Sequence, residues 1–371
     1  TSPGKPGGRG LLGGGRMAGE AAAMGRLTAD EAAVYDRQIR VWGAEAQGRL
    51  GGARVALWGG GPLAAEVAKN LALAGVGRLS VLPPPAGAPA DAGGPRNFLA
   101  AGAEPGPGTA AAMAATLREM NPLVDTRAVP GEAADVRAAF RGGIPARDLQ
   151  EALDEASLVI AATASLAELR EAAAWSRGRG KPFFGALASG FSGMFFADLL
   201  EHTFTDKRPA PPSAPAAGAA PSAAPAAVPE PPRVLSFVPL EEALRVPWDA
   251  LPRRCSPLFP ALQVRDALER ELGRAPGAAD AGAALAARDA LAAAAGVPLE
   301  RAPPDAAAVA LLEADGGQPA ACSVLGGVLA NEVLKAATHK GEPVRNFFFF
   351  GAADGAGKIE FVSPPAKARE T

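Results

Sequence analysis

The stretch from Thr28 to Leu82 constrains the fold more than any other. Arg54-Val-Ala-Leu-Trp-Gly-Gly-Gly61 is a short apolar run ending in glycines, and Leu63, Val67 and Leu71 then recur at helical spacing up to Gly75. A second apolar run, Arg78-Leu-Ser-Val-Leu82, follows. Strand, glycine turn, helix, strand is the leading edge of a nucleotide-binding α/β domain, in which backbone N–H groups at the helix start can cradle a phosphate. Gly59, Gly61 and Ala64 occupy the positions of a G-x-G-x-x-A turn. Two features blunt it. Pro62 removes an N–H from the helix start. At the end of the second strand, about 20 residues on, a nucleotide binder places an acid for the ribose. Here the chain reads Leu82-Pro-Pro-Pro85, with no carboxylate before Asp91. An NAD-dependent oxidoreductase of the Rossmann type meets the same lack.

Upstream, Thr28-Ala-Asp-Glu31 has the form of a capping box, which predicts a helix over 28–43. Tyr35, Ile39 and Trp42 would share one apolar stripe, and Arg37 and Arg40 another face. That basic face is either solvated surface or, at Arg37, a phosphate contact, for which a planar and permanently charged guanidinium is suited.

Further along, helices are expected over 110–120, around 149–153 and over 166–175. Strands are expected at 124–129, 157–161, 182–186 and 191–198, the last antiparallel through a tight turn at Gly190. Residues 209–232 are almost wholly Pro, Ala and Ser, which cannot build a packed core. Order resumes at Val234-Leu-Ser-Phe-Val238, followed by helices at 241–244, 261–272 and 279–295. The final part holds a helix over 323–337, the run Asn346-Phe-Phe-Phe-Phe350 as a buried strand, and a hairpin partner at 358–362. The expected organisation is a disordered extension (1–27), the first part of an α/β domain (28–206), a disordered insertion (207–233), a helical insert (234–315), the closing part of the α/β domain (316–363) and a tail (364–371). Met17 resembles a natural start, which makes residues 1–16 an extension with no apolar signal region.

Composition excludes several functions. The net charge of −2 argues against nucleic acid as a partner. No uninterrupted run of large apolar residues has the length of a membrane span. The chain's 2 cysteines, Cys255 and Cys322, and its 2 histidines, His202 and His339, allow neither a disulfide scaffold nor a four-cysteine zinc site. Cys255, beside Arg253 and Arg254, is either an incidental thiol or a nucleophile with a lowered pKa.

Several motifs together resemble the small subunit of the heterodimeric SUMO-activating enzyme, of the ubiquitin-activating (E1) and ThiF-type adenylation family. They are Tyr35-Asp-Arg-Gln-Ile-Arg-Val-Trp-Gly43, Glu66-Val-Ala-Lys-Asn-Leu71, Asn121-Pro-Leu-Val-Asp125, Lys181-Pro-Phe-Phe-Gly185, Gly190-Phe-Ser-Gly193, Glu201-His-Thr-Phe204, Val324-Leu-Gly-Gly-Val-Leu-Ala-Asn-Glu-Val333 and Asn346-Phe-Phe-Phe-Phe-Gly351. The resemblance spans Ala32 to Val362. It implies a Rossmann-like adenylation fold with a mixed sheet and an inserted helical lobe. It also implies a large partner subunit holding ATP, Mg2+ and the catalytic cysteine, with SUMO reached through the complex. In that family the small subunit lends an arginine to the partner's ATP phosphates, and Arg37 is the matching residue. The chain would then carry no cofactor of its own, its glycine turn would be vestigial, and it would work in the nucleus, with the cytoplasm as a further compartment. A self-sufficient homodimeric ThiF-type adenylating enzyme is the rival reading. The family's basic residue near Gly108-Thr109 is absent, the 83–108 loop has drifted toward Pro, Gly and Ala, and the insertion lacks a Lys/Arg import run.

Overall fold

Most apolar runs of the sequence become strands of one sheet, whose central strands bury both faces under helices. The computed structural model describes residues 27–85, 97–103, 107–208, 228–229, 231–312, 317–351 and 355–364. The expected N-terminal extension up to residue 26, most of the Pro/Ala-rich insertion, Asp91 and the tail from 365 lie outside the described residues. In chain order the strands are β1 (Arg54–Trp58), β2 (Arg78–Leu82), β3 (Asp125–Ala128), β4 (Leu158–Ala162), β5 (Phe183–Ser189), β6 (Ser192–Asp198), β7 (Glu201–Phe204), β8 (Arg233–Ser236), β9 (Phe347–Gly351) and β10 (Ala356–Glu360). Eight of them form the sheet, in the order β10-β9-β6-β5-β4-β1-β2-β3. The run from β3 to β5 is parallel. The additions β6, β9 and β10 are antiparallel, so the sheet is mixed as expected. β7 and β8 pair separately, as do the two-residue segments Lys207–Arg208 and Val228–Pro229.

Side chains alternate between the two faces. Val55 and Leu57 point to one core layer, Ala56 and Trp58 to the other. The four-phenylalanine run obeys the same period of two: Phe347 and Phe349 stack on each other and meet Phe259 edge-on on one face, while Phe348 stacks on Phe195 on the opposite face. One face is covered by α4 (Pro62–Ala74), α5 (Pro107–Met120) and α13 (Pro319–Thr338), and the other by α6 (Ala133–Phe140), α7 (Arg147–Glu155), α8 (Leu166–Gly178), α9 (Leu240–Leu244) and the first half of α10 (Leu258–Leu272). α4 begins with Pro62 at its first position, where a missing N–H costs nothing. Helix α13 is long and apolar enough to cross a membrane, yet half of it is buried, against α4 and the sheet. Gly326 permits that approach, since a Cβ there would lie 2.6 Å from the Glu66 Cβ. The second half of α10, α11 (Ala281–Ala294) and α12 (Asp305–Val309) enclose a small core of Val264, Leu268, Ala284 and Leu312.

Three expectations change. The helix expected over 28–43 is two helices, α1 (Ala29–Val34) and α2 (Asp36–Trp42), broken at Tyr35, and α3 (Ala44–Gly52) follows Gly43. The capping box at Thr28 is present as expected. The break replaces the continuous apolar stripe: Tyr35 is buried, whereas Ile39 and Trp42 are half-buried. On α13, Leu325 and Leu329 face the core while Val324 is exposed. Helix α6 and strand β7 arise where no periodic signal stood.

Candidate functional site: a filled crevice and an outward arginine

The parallel order reverses between β1 and β4, and the crevice beyond their C-terminal ends is where a doubly wound sheet holds ligands. A cavity of about 550 Å³ lies there. Gly61 and Ala64 line it, from the turn the sequence marks out, together with Thr163 and Ser165 after β4 and Glu269 from α10. Gly59 lies beneath the turn: a Cβ there would meet the Ala162 carbonyl at 2.7 Å, so this glycine serves strand packing.

The glycine turn is covered by its own neighbours. Pro84 covers Gly60 so closely that a Cβ there would lie 2.5 Å away. Asn97 Nδ2 donates to the Gly60 carbonyl at 2.8 Å, closing the turn from the other side. Pro62 contributes no N–H. The N-terminus of α8, the second anion-binding position of such a crevice, already holds an internal carboxylate. Glu269 accepts from Ser165 Oγ at 2.5 Å, from Leu166 N at 3.0 Å and from Ala167 N at 3.1 Å. One turn earlier on α10, the buried Arg265 donates to the carbonyls of Ala164 and Leu311, and burial lowers its pKa to about 10. This pair therefore fastens the helical insert to the loop after β4, where a ligand would otherwise sit.

The remaining charges are committed as well. Glu171 accepts from both Arg137 and Arg141. Arg270 pairs with Asp266, and Arg274 with Asp280. Burial raises the Glu168 carboxyl to about 7, only partly offset by Arg137 and Thr163. Three carboxylates and four arginines line the cavity, and each arginine is held by an acid of this chain. Glu269 and Arg265 escaped sequence reading because they act on residues about 100 positions away; the i, i+4 spacing of the two on one helix was their only local signal.

Arg37 lies elsewhere. Helix α2 rests on the C-terminal end of α4, where Gln38 Nε2 donates to the Leu73 carbonyl at 3.1 Å. The glycine turn is at the other end of this 13-residue helix, roughly 20 Å away. Arg37 is exposed and makes no hydrogen bond or ion pair with the described residues, whereas its neighbour Arg40 pairs with Asp36 at 2.8 Å. Cys255 is half-buried; burial, reinforced by Glu360, pushes its thiol up to about 12, while Arg253 and Arg254 are exposed. The thiol is thus held protonated, which overturns the lowered-pKa reading. Among the described residues no group of His, Cys, Asp and Glu could hold a metal ion.

A Rossmann-like sheet with antiparallel additions, a helical insert over the crevice and α1–α2 ahead of β1 defines an adenylation-type α/β protein. The ThiF family model matches residues 35–369. SUMO-activating enzyme subunit 1B-1 of Arabidopsis thaliana is 31% identical over 346 residues, covering 91% of this chain and 98% of its own. SUMO-activating enzyme subunit 1 of Homo sapiens is 30% identical over 358 residues, covering 92% and 98%. The corresponding subunit of Rattus norvegicus is 30% identical, covering 91% and 96%. Among solved structures, PaaA aligns with 95% of this chain and 82% of its own, at 14% identity and a TM-score of 0.48. The chain belongs to the ThiF family and, within it, to the family of SUMO-activating enzyme subunit 1.

Proposed function

We propose that this chain is the regulatory and structural subunit of a heterodimeric SUMO-activating enzyme, completing the dimer and presenting Arg37 to the ATP site of a large catalytic subunit. That subunit binds ATP and Mg2+, adenylates the SUMO C-terminus and takes it up as a thioester. The observation that carries this reading is the division within the chain: the glycine turn and the α8 N-terminus of its own crevice are occupied by its own side chains, while Arg37, at the far end of α4, has no partner among the described residues. A guanidinium held there is remote from its own crevice and open to another molecule. Val34 and Val41, on either side of Arg37 in the sequence, are 61% and 74% exposed, apolar area of the kind a partner covers. At the phosphates, such an arginine would neutralise charge developing in adenylation. The nucleus is the compartment proposed, by kinship with the family.

The test is reconstitution. The chain alone should give no ATP–pyrophosphate exchange, and exchange plus a SUMO thioester should appear on adding the large subunit. Exchange by the chain alone would instead favour a self-sufficient homodimeric enzyme.

A further inference from the structure

Helix α2 has only 7 residues, too few to keep its direction without tertiary support. Its support converges on Tyr35, the one tyrosine of the chain, which is 3% exposed and ends α1 as it begins α2. The ring lies over Gly75, where a Cβ would come within 2.4 Å of it. Tyr35 Oη accepts from Asn121 Nδ2 at 2.8 Å. The same nitrogen donates to the Ala72 carbonyl at 2.7 Å, and Asn121 Oδ1 accepts from Leu123 N at 3.1 Å. Asn121 therefore joins the break between α1 and α2 to the last turn of α4 and to the loop before β3. Gln38 and Lys340 hold α2 further along, through Leu73 O and Trp42 O. The two N–H groups of the Asn121 amide are shared between Ala72 O and Tyr35 Oη, so this buried amide is fully paired only with the tyrosine in place.

We propose that Tyr35 and Asn121 are a positioning pair for Arg37: their hydrogen bond fixes the break between α1 and α2, and so the direction in which the Arg37 side chain leaves the molecule. This rests on the reading of Arg37 as the chain's contribution to a partner's phosphate site. Angular precision matters there, because a misplacement of about 1 Å in a reacting assembly can cost on the order of a hundredfold in rate.

Tyr35→Phe keeps the ring over Gly75 and removes only the oxygen. In the reconstituted heterodimer, ATP–pyrophosphate exchange by Tyr35→Phe should fall in kcat by roughly threefold to tenfold, with assembly by gel filtration unchanged. The deciding readout is the double variant. Tyr35→Phe with Arg37→Ala should exchange at the rate of Arg37→Ala alone, because a positioning residue has nothing left to position. Independent, multiplying losses would overturn the proposal while leaving the role of Arg37 intact, and so would an unchanged kcat in Tyr35→Phe. If Arg37→Ala itself exchanges at the wild-type rate, the reading of Arg37 fails and the positioning pair with it. Should Tyr35→Phe fold poorly, Gln38→Ala removes a half-buried tether of the same helix. It should show a smaller kcat loss with the same non-additivity, and a multiplying loss there would count against the proposal.

Discussion

Glu168 illustrates how burial alone can set a residue's behaviour in this chain. Its carboxyl titrates near 7 in the folded protein, against an ordinary value of 4.5, chiefly because burial disfavours the ion. The folded state then binds the proton more tightly than the unfolded state, so stability falls as pH rises from about 4.5 to about 7. Glu168→Gln should relieve this: its unfolding free energy relative to wild type should rise across that window by roughly 3 kcal/mol at most, measured by urea unfolding at pH 5 and pH 8. Asp266, raised by burial to about 6, contributes in the same direction. Cys255 gives a simpler expectation. With its thiol held near 12, it should alkylate slowly at pH 7, and Cys255→Ala should leave thioester formation by the complex unchanged, as read on a non-reducing gel.

At the scale of elements, the joints between helices carry the specificity. Glu269 accepts two backbone N–H groups and one hydroxyl at the start of α8, so Glu269→Ala leaves those donors unpaired. A loss of about 2–4 kcal/mol is expected, seen as a lower Tm and faster proteolysis within the insert. Gly75 has φ +86° and lies under the Tyr35 ring. Gly75→Ala should therefore cost more than the roughly 1 kcal/mol of a left-handed alanine, because the ring must also move, and Tyr35→Ala should relieve part of that cost in a thermal melt. These joints also mark how far the sequence was legible. The strand runs, the glycine turn and the antiparallel strand after Gly190 could be read because periodicity and turn chemistry are local. The break at Tyr35 could not, because it depends on Asn121, 86 positions away. The filling of the crevice was half legible: Pro62 and the missing acid stood in the sequence, while Glu269 reaches the α8 N-terminus only through the folded insert.

Across the whole molecule, one sheet carries two ends with opposite fates. At the C-terminal edge of β1 and β4 the ligand crevice has become the seat of the helical insert. At the other end of α4, a short tethered helix holds Arg37 toward solvent, without a partner among the described residues. Together they describe a chain that keeps the frame of an adenylating fold, which is the basis of the proposed role beside a second subunit. The most direct test is ATP–pyrophosphate exchange by the heterodimer carrying Arg37→Ala, compared with wild type and Arg37→Lys at saturating SUMO. A loss of about a hundredfold or more is expected for Arg37→Ala, with partial recovery in Arg37→Lys and normal assembly throughout. Wild-type exchange by an assembled Arg37→Ala complex would contradict the central claim.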